Sequence, residues 1–219
     1  MRVSDLMSTW VVAVQLDAPF KTVVEAMLAN DVSGVAVLDE AGVVVGVISE
    51  ADLISKEAFP AATVLEPEEP LEANGWGRRW MTKAAGLTAN DVMSTPALTA
   101  NPDESIQSAA RRMVRARVRL LPVVDANILV GMITRRDILH VFGKADALLA
   151  LQIRNLLRGH HFDLPGHRVD VTVEGGVVTL SGRLSDRGDC TFVIQVVEAV
   201  EGVVGVRNEL GAQDPRHPI

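Results

Sequence analysis

The sequence has little cysteine and no long apolar run, and these two absences exclude several classes of protein. A single cysteine, Cys190, rules out an intramolecular disulfide and a metal site of clustered cysteines. We expect it to be a small residue on or near a helix face. No segment approaches the roughly 18 to 20 apolar residues that cross a bilayer, and the first residues lack the basic start of a secretory signal. We therefore expect a cytoplasmic protein.

Signatures of catalysis are also missing. The sequence contains no nucleophile elbow, metal-ligand pattern, P-loop or glycine-rich dinucleotide fingerprint. The formal net charge of −7 argues against a non-specific nucleic-acid binder, because such proteins neutralise phosphates with a basic surface. A hydrophobic content of 48% over 219 residues is ample for packed cores. We predict a globular, non-enzymatic protein without catalytic residues, metal or nucleic-acid partner.

An internal repeat organises the first two thirds of the chain. The heptapeptide GVISEAD at residues 46–52 returns as GMITRRD at residues 131–137, an offset of 85 residues. Upstream of each copy, DLMST begins at Asp5 and DVMST begins at Asp91, an offset of 86 residues. The sequence is therefore expected to contain two copies of one structural unit.

Each copy predicts the order strand, helix, strand, strand, helix. Asp17 and Asp103 are the expected N-caps of the first helix in each copy. Apolar residues follow at helical spacing, in the second copy Ile106, Ala109, Ala110, Met113 and Val114. Valine-rich strands then predict a sheet that is covered on its faces, and hence a mixed α/β (α+β) fold.

On the paired DxMST and G-h-h-[ST]-x-x-D motifs, where h is hydrophobic, both repeats resemble CBS domains. The resemblance covers residues 1 to about 143. It implies that the two β-α-β-β-α repeats pack as a Bateman module, which binds adenine nucleotides or S-adenosylmethionine in clefts between the repeats. It also implies a homodimer, because CBS pairs commonly associate face to face.

The heptapeptide has two interpretations. Thr134 with Asp137, and Ser49 with Asp52, fit the capping box, in which a hydroxyl residue and a carboxylate three residues later cap a helix. The same helix start also offers free N–H groups to a phosphate. The resemblance implies that Thr134 or Ser49 contacts phosphate and that Asp137 or Asp52 binds the ribose hydroxyls.

The two sites are not expected to be equivalent, because only the second repeat surrounds its motif with arginine. Arg135 and Arg136 lie inside the motif, and the preceding helix is expected to carry Arg112, Arg115 and Arg119 on one side. Arg111 and Arg117 add to the local charge. The first repeat has Glu50 inside its motif, and the positions aligned with Arg112, Arg115 and Arg119 are Ala26, Ala29 and Ser33. We hypothesise a polyphosphate at the Thr134 site, and a less charged adenosine ligand or none at the Ser49 site. The alternative is a solvated arginine face paired with carboxylates.

Adenine needs apolar surroundings, and the resemblance places them on the strand after DxMST and on the segment before the second strand. The corresponding residues are Ala97, Leu98, Leu121 and Pro122 in the second repeat, and Val11, Val12 and Val35 in the first, weaker site. Each of these could equally be an ordinary core residue. The first repeat also departs from the family pattern, with Ala36 where the second has Pro122.

The C-terminal region changes pattern. A helix predicted at about 146 to 158 and ended by Gly159 is followed by a hairpin with a Gly-Gly turn, a helix stopped by Gly202 and a third strand. Through GVVTLSG and GVVGVRNEL this αββαβ region resembles a BON domain, which implies attachment to phospholipid or envelope. Acidic residues outnumber arginines from 147 to 219, so a protein partner is equally compatible.

The predicted domains are 1–58 and 86–143 for the CBS repeats and 146–211 for the BON domain, with a linker at 59–85 and a flexible tail at 212–219. In the linker, Trp76 and Trp80 flank Arg78 and Arg79, a cluster that packs onto its own domain or contacts a partner. Three histidines, His160, His161 and His167, precede the hairpin; solvated loop histidines are favoured over a metal site, because no carboxylate or cysteine completes the pattern.

These features predict a ligand sensor that requires no cofactor. The CBS pair would bind AMP, ADP, ATP or S-adenosylmethionine as a regulatory ligand, and the BON domain would convey the response to a protein or phospholipid partner. The alternative is a structural adapter, in which the CBS repeats bind nothing and the BON domain attaches to membrane or envelope.

Overall fold

The computed structural model describes residues 1–58, 82–159, 168–184 and 186–212. The chain divides into two compact units, Met1–Asp137 and Ile138–Ile219. The tryptophans and arginines predicted to cluster in the linker, the three histidines before the hairpin and residues 213–219 of the tail lie outside the described residues.

The first repeat has the predicted order of elements. A short 3₁₀ turn precedes strand β1 (Ala13–Gln15), helix α1 (Phe20–Ala29), strands β2 (Gly34–Leu38) and β3 (Val44–Ser49), and helix α2 (Glu50–Ala58). Strand β1 pairs with β2 in parallel, as expected across a helical crossover, and β2 pairs with β3 antiparallel. The alternating valines of these strands face a core with Val23, Met27, Val35 and Ile48.

The second repeat is built on helix α3 (Ala89–Val92), helix α4 (Ile106–Ala116), strands β4 (Leu120–Asp125) and β5 (Ile128–Thr134), and helix α5 (Arg135–Leu139). Its counterpart of β1 is reduced to a single parallel bridge between Ala100 and Val123. Pro122 is the physical reason. In the first repeat Ala36 donates its N–H to the carbonyl of Val12 at 3.4 Å, whereas proline at the equivalent position has no N–H to donate.

The predicted N-caps, Asp17 and Asp103, were wrong. Helix α1 begins after Pro19, and helix α4 begins after Ser105, whose Oγ accepts a hydrogen bond from the Ser108 amide at 3.2 Å. Asp103 instead accepts a hydrogen bond from Arg2 at 2.6 Å. Both helices therefore start two residues later than the prediction, because Pro19 and Ser105 provide the extended backbone that precedes the first turn.

The two repeats exchange their DxMST segments. Ser8 of the first segment bridges Met132 on β5, and Ser94 of the second segment bridges Val47 on β3. At each exchange, a methionine side chain of one repeat packs against a glycine of the other. A Cβ atom added to Gly131 would lie 2.6 Å from the sulfur of Met7, and one added to Gly46 would lie 2.9 Å from Cγ of Met93. Glycine therefore begins each heptapeptide because the methionine of the other repeat occupies the space of its side chain.

The C-terminal unit has the predicted αββαβ order, with helix α6 (Asp146–Gly159), strands β6 (Arg168–Glu174) and β7 (Val177–Leu184), helix α7 (Arg187–Glu198) and strand β8 (Gly205–Ala212). Strands β6 and β7 form an antiparallel hairpin, and β7 pairs with β8 in parallel. The helices and the sheet enclose one core, which contains Leu149, Ile153, Leu157, Val171, Val178, Leu180, Leu184, Cys190, Val193 and Val197. The prediction that Cys190 is a small residue on a helix face is confirmed, since it lies on α7 and is 9% exposed.

The hairpin turn is tied to the start of helix α6. Gly175 and Gly176 have positive φ angles of 56° and 76°, which glycine adopts without strain. Their amides donate to the two carboxylate oxygens of Asp146 at 2.8 and 2.9 Å. Helix α7 ends at Glu198, with Ala199 as its C-cap. The predicted stop at Gly202 was therefore too late, because Gly202 supplies the positive φ of the following turn rather than the helix end.

Candidate functional site

The second heptapeptide forms the predicted capping box at the junction of β5 and α5. The amide and the hydroxyl of Thr134 each donate to Oδ2 of Asp137 at 2.7 Å, and the Asp137 amide donates to Thr134 Oγ1 at 3.3 Å. Asp137 is half-buried, and within the described part of the chain no group donates to its other oxygen, Oδ1. The cap thus leaves one carboxylate oxygen as an available acceptor.

The first heptapeptide forms a similar cap, but its carboxylate is fully engaged. Ser49 donates its amide and its hydroxyl to Oδ2 of Asp52 at 2.8 and 2.6 Å. The other oxygen, Oδ1, forms a short ion pair with the ammonium of Lys83. Lys83 and Asp52 are only 4% and 6% exposed, and the Lys83 ammonium also donates to the hydroxyl of Ser94 at 3.0 Å. Both oxygens of Asp52 are therefore occupied by groups of the protein itself.

Of the apolar residues predicted around the second site, Leu121 and Pro122 lie on β4, the strand that pairs with the one ending in the cap. Leu120 pairs with Thr134 and Leu121 with Ile133, so the start of β4 runs next to the end of β5. The chain from 97 to 99 leads into the Ala100–Val123 bridge and so passes along the same end of β4. Leu98 is 40% exposed and Ala97 is half-buried, whereas Leu121 is fully buried and Pro122 is buried. Ala97 and Leu98 are therefore the members of this group with accessible surface.

In the first repeat the predicted apolar residues belong mainly to cores. Val35 on β2 is fully buried, and Val12 packs against the same core. Val11 packs against a small cluster shared by the two repeats, with Ala36, Leu120 and Met132 at its centre. Val35 is therefore an ordinary core residue. Val11 and Val12 are half-buried.

The arginines of the second repeat have different surroundings. Arg112 forms two hydrogen bonds with Glu104, at 3.1 and 2.7 Å, and also donates to the carbonyl of Thr99. Arg135 donates through Nε to the carbonyl of Val118 at 3.0 Å, at the C-terminal end of α4. Four further arginines are exposed and have no ion pair within the described ranges: Arg111 and Arg115 on α4, and Arg117 and Arg119. Arg119 was predicted on this helix, which instead ends at Ala116. Part of the arginine face is thus paired and part is available to an anion.

Arg136 lines a groove of the first repeat. The groove, with a volume of about 630 Å³, runs between α1 and α2 and is lined by Phe20, Val24, Met27, Leu28, Asp31, Val32, Ser33, Glu50, Leu53, Ile54, Lys56, Glu57 and Arg136. Leu28 and Ile54 are 77% and 62% exposed along it. The helices of the first repeat therefore present apolar surface to solvent.

One feature that shapes these sites has no local signal in the sequence. Lys83 reaches Asp52 across 31 residues, and no local pattern marks such a contact. The aspartate that opens DxMST is a cap in both repeats: Asp5 accepts from the Arg2 amide at 2.7 Å, and Asp91 accepts from Leu87 and Thr88. Hydrogen bonds from the Leu87 amide, the Thr88 hydroxyl and the Thr88 amide hold the pKa of Asp91 below its ordinary value. The T-x-x-D spacing of Thr88 and Asp91 was a readable signal for this cap.

The described parts of the structure contain neither a cluster of metal-ligand side chains nor a membrane-spanning helix. Within 1–58, 82–159, 168–184 and 186–212, no three histidine, cysteine, aspartate or glutamate side chains are grouped so that they could hold a metal ion. No described helix is both long enough and apolar enough to cross a membrane.

Comparisons with known proteins agree with this architecture. A model of the CBS domain matches residues 3–58 and 89–144, and a model of the BON domain matches residues 145–213. The uncharacterized protein MJ1426 of Methanocaldococcus jannaschii is 29% identical over 158 residues, which cover 64% of this chain and 89% of the relative. The CBS domain-containing protein YhcV of Bacillus subtilis is 26% identical over 136 residues, which cover 62% of this chain and 81% of YhcV. The match spans only 36% of MJ1404, a longer relative from M. jannaschii.

Among solved structures, the crystal structure of CBSX2 in complex with AMP has a TM-score of 0.53 and 24% identity, and the match covers 64% of this chain and 94% of that one. CBSX2 is a protein of Arabidopsis thaliana. At this identity the likeness shows the fold of the repeats. Together with the family matches, it establishes that the chain belongs to the CBS-domain family and consists of two CBS domains followed by a BON domain.

Proposed function

We propose that this protein is a non-enzymatic, cytoplasmic sensor that binds an adenine nucleotide at the second CBS repeat. The observation that carries the proposal is the Thr134–Asp137 cap, which leaves Asp137 Oδ1 without a partner among the described residues. The accessible side chains of Ala97 and Leu98 lie on the segment that leads to β4, the strand paired with β5. A carboxylate oxygen accepts hydrogen bonds from ribose hydroxyls, and an apolar wall receives the base. Leu121 and Pro122 would form the buried layer beneath that wall.

Two further points support a nucleotide. CBSX2, which shares the fold, was crystallised with AMP. The second repeat also concentrates positive charge near the cap in a chain whose net charge is −7. Arg135 is exposed, and its Nη1 has no hydrogen bond within the described part of the molecule, so it can meet a phosphate beside Thr134 while Nε stays on Val118. We place Arg136, which lines the α1–α2 groove, outside this site.

The test is titration calorimetry of the full chain with AMP, ADP, ATP and S-adenosylmethionine. The variant Thr134→Ala/Asp137→Ala removes both polar groups of the proposed site. Thr88→Ala/Asp91→Ala is the matched control, because it removes a capping box of the same chemistry from helix α3. We expect saturable binding of a nucleotide, lost in the first variant and kept in the control. Equal binding by both variants, or no binding of these ligands at millimolar concentration, would refute the proposal.

The phosphate preference has its own measurement. If Arg135 meets the terminal phosphates, Arg135→Ala weakens ATP more than AMP, by roughly tenfold for the loss of one charge-assisted hydrogen bond. Arg111→Ala, which removes an exposed arginine from the middle of α4, is the control. An equal loss for AMP and ATP would show that Arg135 acts on the fold of the site rather than on phosphate.

We further propose that the CBS pair forms a homodimer and that the BON domain binds a partner protein or phospholipid. The exposed Leu28 and Ile54 of the α1–α2 groove support the dimer, since such apolar surface is usually covered. Light scattering should give twice the chain mass of 23.5 kDa, and Leu28→Asp/Ile54→Asp should give the monomer. Co-sedimentation with anionic vesicles in the absence of nucleotide would favour the ligand-independent adapter instead.

A further inference from the structure

Lys83 is a buried cation at the first CBS repeat, and among the described residues no other lysine or arginine is buried. Its ammonium pairs with Oδ1 of Asp52 and donates to the hydroxyl of Ser94 at 3.0 Å. The side chains of Lys83 and Asp52 are 5% and 8% exposed. An ion pair so far removed from water is stable only when its partners stay together, because either charge alone would remain buried without compensation.

The ion pair involves Asp52, the residue of the first repeat that corresponds to Asp137. Asp52 accepts at Oδ2 from the amide and hydroxyl of Ser49, at 2.8 and 2.6 Å. It accepts at Oδ1 from Lys83 and, at 3.5 Å, from the hydroxyl of Ser94. Among the described residues, Asp137 accepts only from the amide and the hydroxyl of Thr134, both at Oδ2. To bind a ribose, the carboxylate must accept hydrogen bonds from the sugar hydroxyls. In the first repeat, both oxygens of Asp52 already accept hydrogen bonds from groups of the protein.

Lys83 also contacts the DVMST segment, which bridges to strand β3 of the first repeat. Its second acceptor, Ser94, belongs to the DVMST segment, and the backbone of Ser94 is bridged to Val47 on β3 by hydrogen bonds of 2.8 and 3.1 Å. Displacing the ammonium from Asp52 would therefore also disturb its contact with the exchanged segment. A neutral ligand hydroxyl offers no charge to replace the ammonium.

We infer that Lys83 is the internal occupant of the first-repeat site and limits the chain to one adenine nucleotide, bound at the second repeat. This inference rests on the proposed function, because it assigns the stoichiometry of the same class of ligand. It makes the two repeats unequal: the first is closed by a side chain of the protein, and the second responds to ligand. Lys83 thereby acts as the residue that determines which of two related sites is used.

The experiment is the stoichiometry of ATP and AMP binding by titration calorimetry, on the full chain. We expect one site per chain for the natural sequence and none for Thr134→Ala/Asp137→Ala. Adding Lys83→Met to that double variant removes the ammonium from Asp52 Oδ1 and leaves only the long 3.5 Å bond from Ser94, which a ribose hydroxyl can replace, and we expect one site to appear. The control adds Asp52→Asn as well, which removes the carboxylate together with the lysine, and we expect that site to disappear again. Circular dichroism spectra verify that each variant is folded.

The outcomes separate this inference from the proposed function. Two sites in the natural chain, or binding to Thr134→Ala/Asp137→Ala with Lys83 intact, would overturn the role of Lys83 and leave nucleotide binding established. No site after Lys83→Met is added to a folded double variant would also overturn it. Failure of the natural chain to bind, with a site appearing in the Lys83→Met double variant, would refute the second-repeat site and uphold the closure by Lys83.

Discussion

The exchange of DxMST segments predicts that Gly46 tolerates no side chain. Gly46 lies on β3 of the first repeat, and Met93 of the second repeat covers it. The Cβ of Gly46→Ala would stand 2.9 Å from Cγ and 3.1 Å from Cβ of Met93. Since Cβ is fixed by the backbone, rotation of the methionine side chain cannot relieve the second contact, and the segment itself has to move.

The expected size follows from two opposing effects. Overpacking a core by one methyl group costs about 1 to 3 kcal/mol. Replacing glycine by alanine recovers roughly 0.4 to 1 kcal/mol by restricting the unfolded chain. The net loss in the free energy of unfolding should be about 1 to 2 kcal/mol, which lowers the midpoint of thermal unfolding by roughly 2 to 8 °C for a chain of this size.

Thermal and urea unfolding of Gly46→Ala against Gly143→Ala is the assay, because a Cβ at Gly143 meets no atom within 4 Å. A double-mutant cycle with Met93→Ala shows whether the loss arises at this contact, since removing the methionine side chain relieves most of the overlap. The reasoning is refuted if Gly46→Ala and Gly143→Ala unfold at the same temperature, or if the cycle shows no coupling between Gly46 and Met93.

Three further predictions concern other elements. Hydrogen bonds hold the pKa of Asp91 below its ordinary 3.8. The ionised Asp91 therefore stabilises the fold above pH 3.8, and this contribution is lost as the pH falls through the lowered pKa. In an NMR titration, Thr88→Ala should raise the Asp91 pKa toward 3.8. Asp146→Ala removes two bonds to the β6–β7 turn and should lower the free energy of unfolding of the BON domain by roughly 1 to 3 kcal/mol, while unchanged amide exchange at Gly175 and Gly176 would contradict this role. Leu180→Ala should cost about 2 to 5 kcal/mol by opening a cavity in the BON core, against a change within about 0.5 kcal/mol for Leu148→Ala, whose side chain is largely accessible.

The order of elements was predictable because it depends on local pattern and on repetition. The local signals are alternating valines in β2, β3, β6 and β7 and helical spacing of apolar residues in α4 and α7. In the CBS pair each motif occurs twice, so each copy supports the prediction made from the other. The caps of the two heptapeptides were predictable for the same reason, since hydroxyl and carboxylate lie three residues apart.

What the sequence did not reveal depends on partners distant along the chain. The pairing of Asp52 with Lys83, and of Arg135 with the end of α4, joins residues separated by 31 and 17 positions. The single bridge at Ala100 in place of a strand required knowing that Pro122 would lie opposite, where its missing N–H matters. The helix starts were misplaced because Asp17 and Asp103 satisfy the N-cap rule, whereas helix α1 follows Pro19, which has no side-chain cap bond. Helix α4 follows Ser105, which satisfies the rule as well as Asp103 does.

The crossed methionines also bear on the history of the chain. Met7 rests on Gly131 and Met93 rests on Gly46, so each repeat completes the other by the same pair of contacts. Two identical copies of one repeat, associating by reciprocal exchange of a segment, would make this arrangement with exact symmetry. Joining the copies into one chain makes the exchange intramolecular and frees each half to diverge, as the lysine-closed first half and the arginine-rich second half have done.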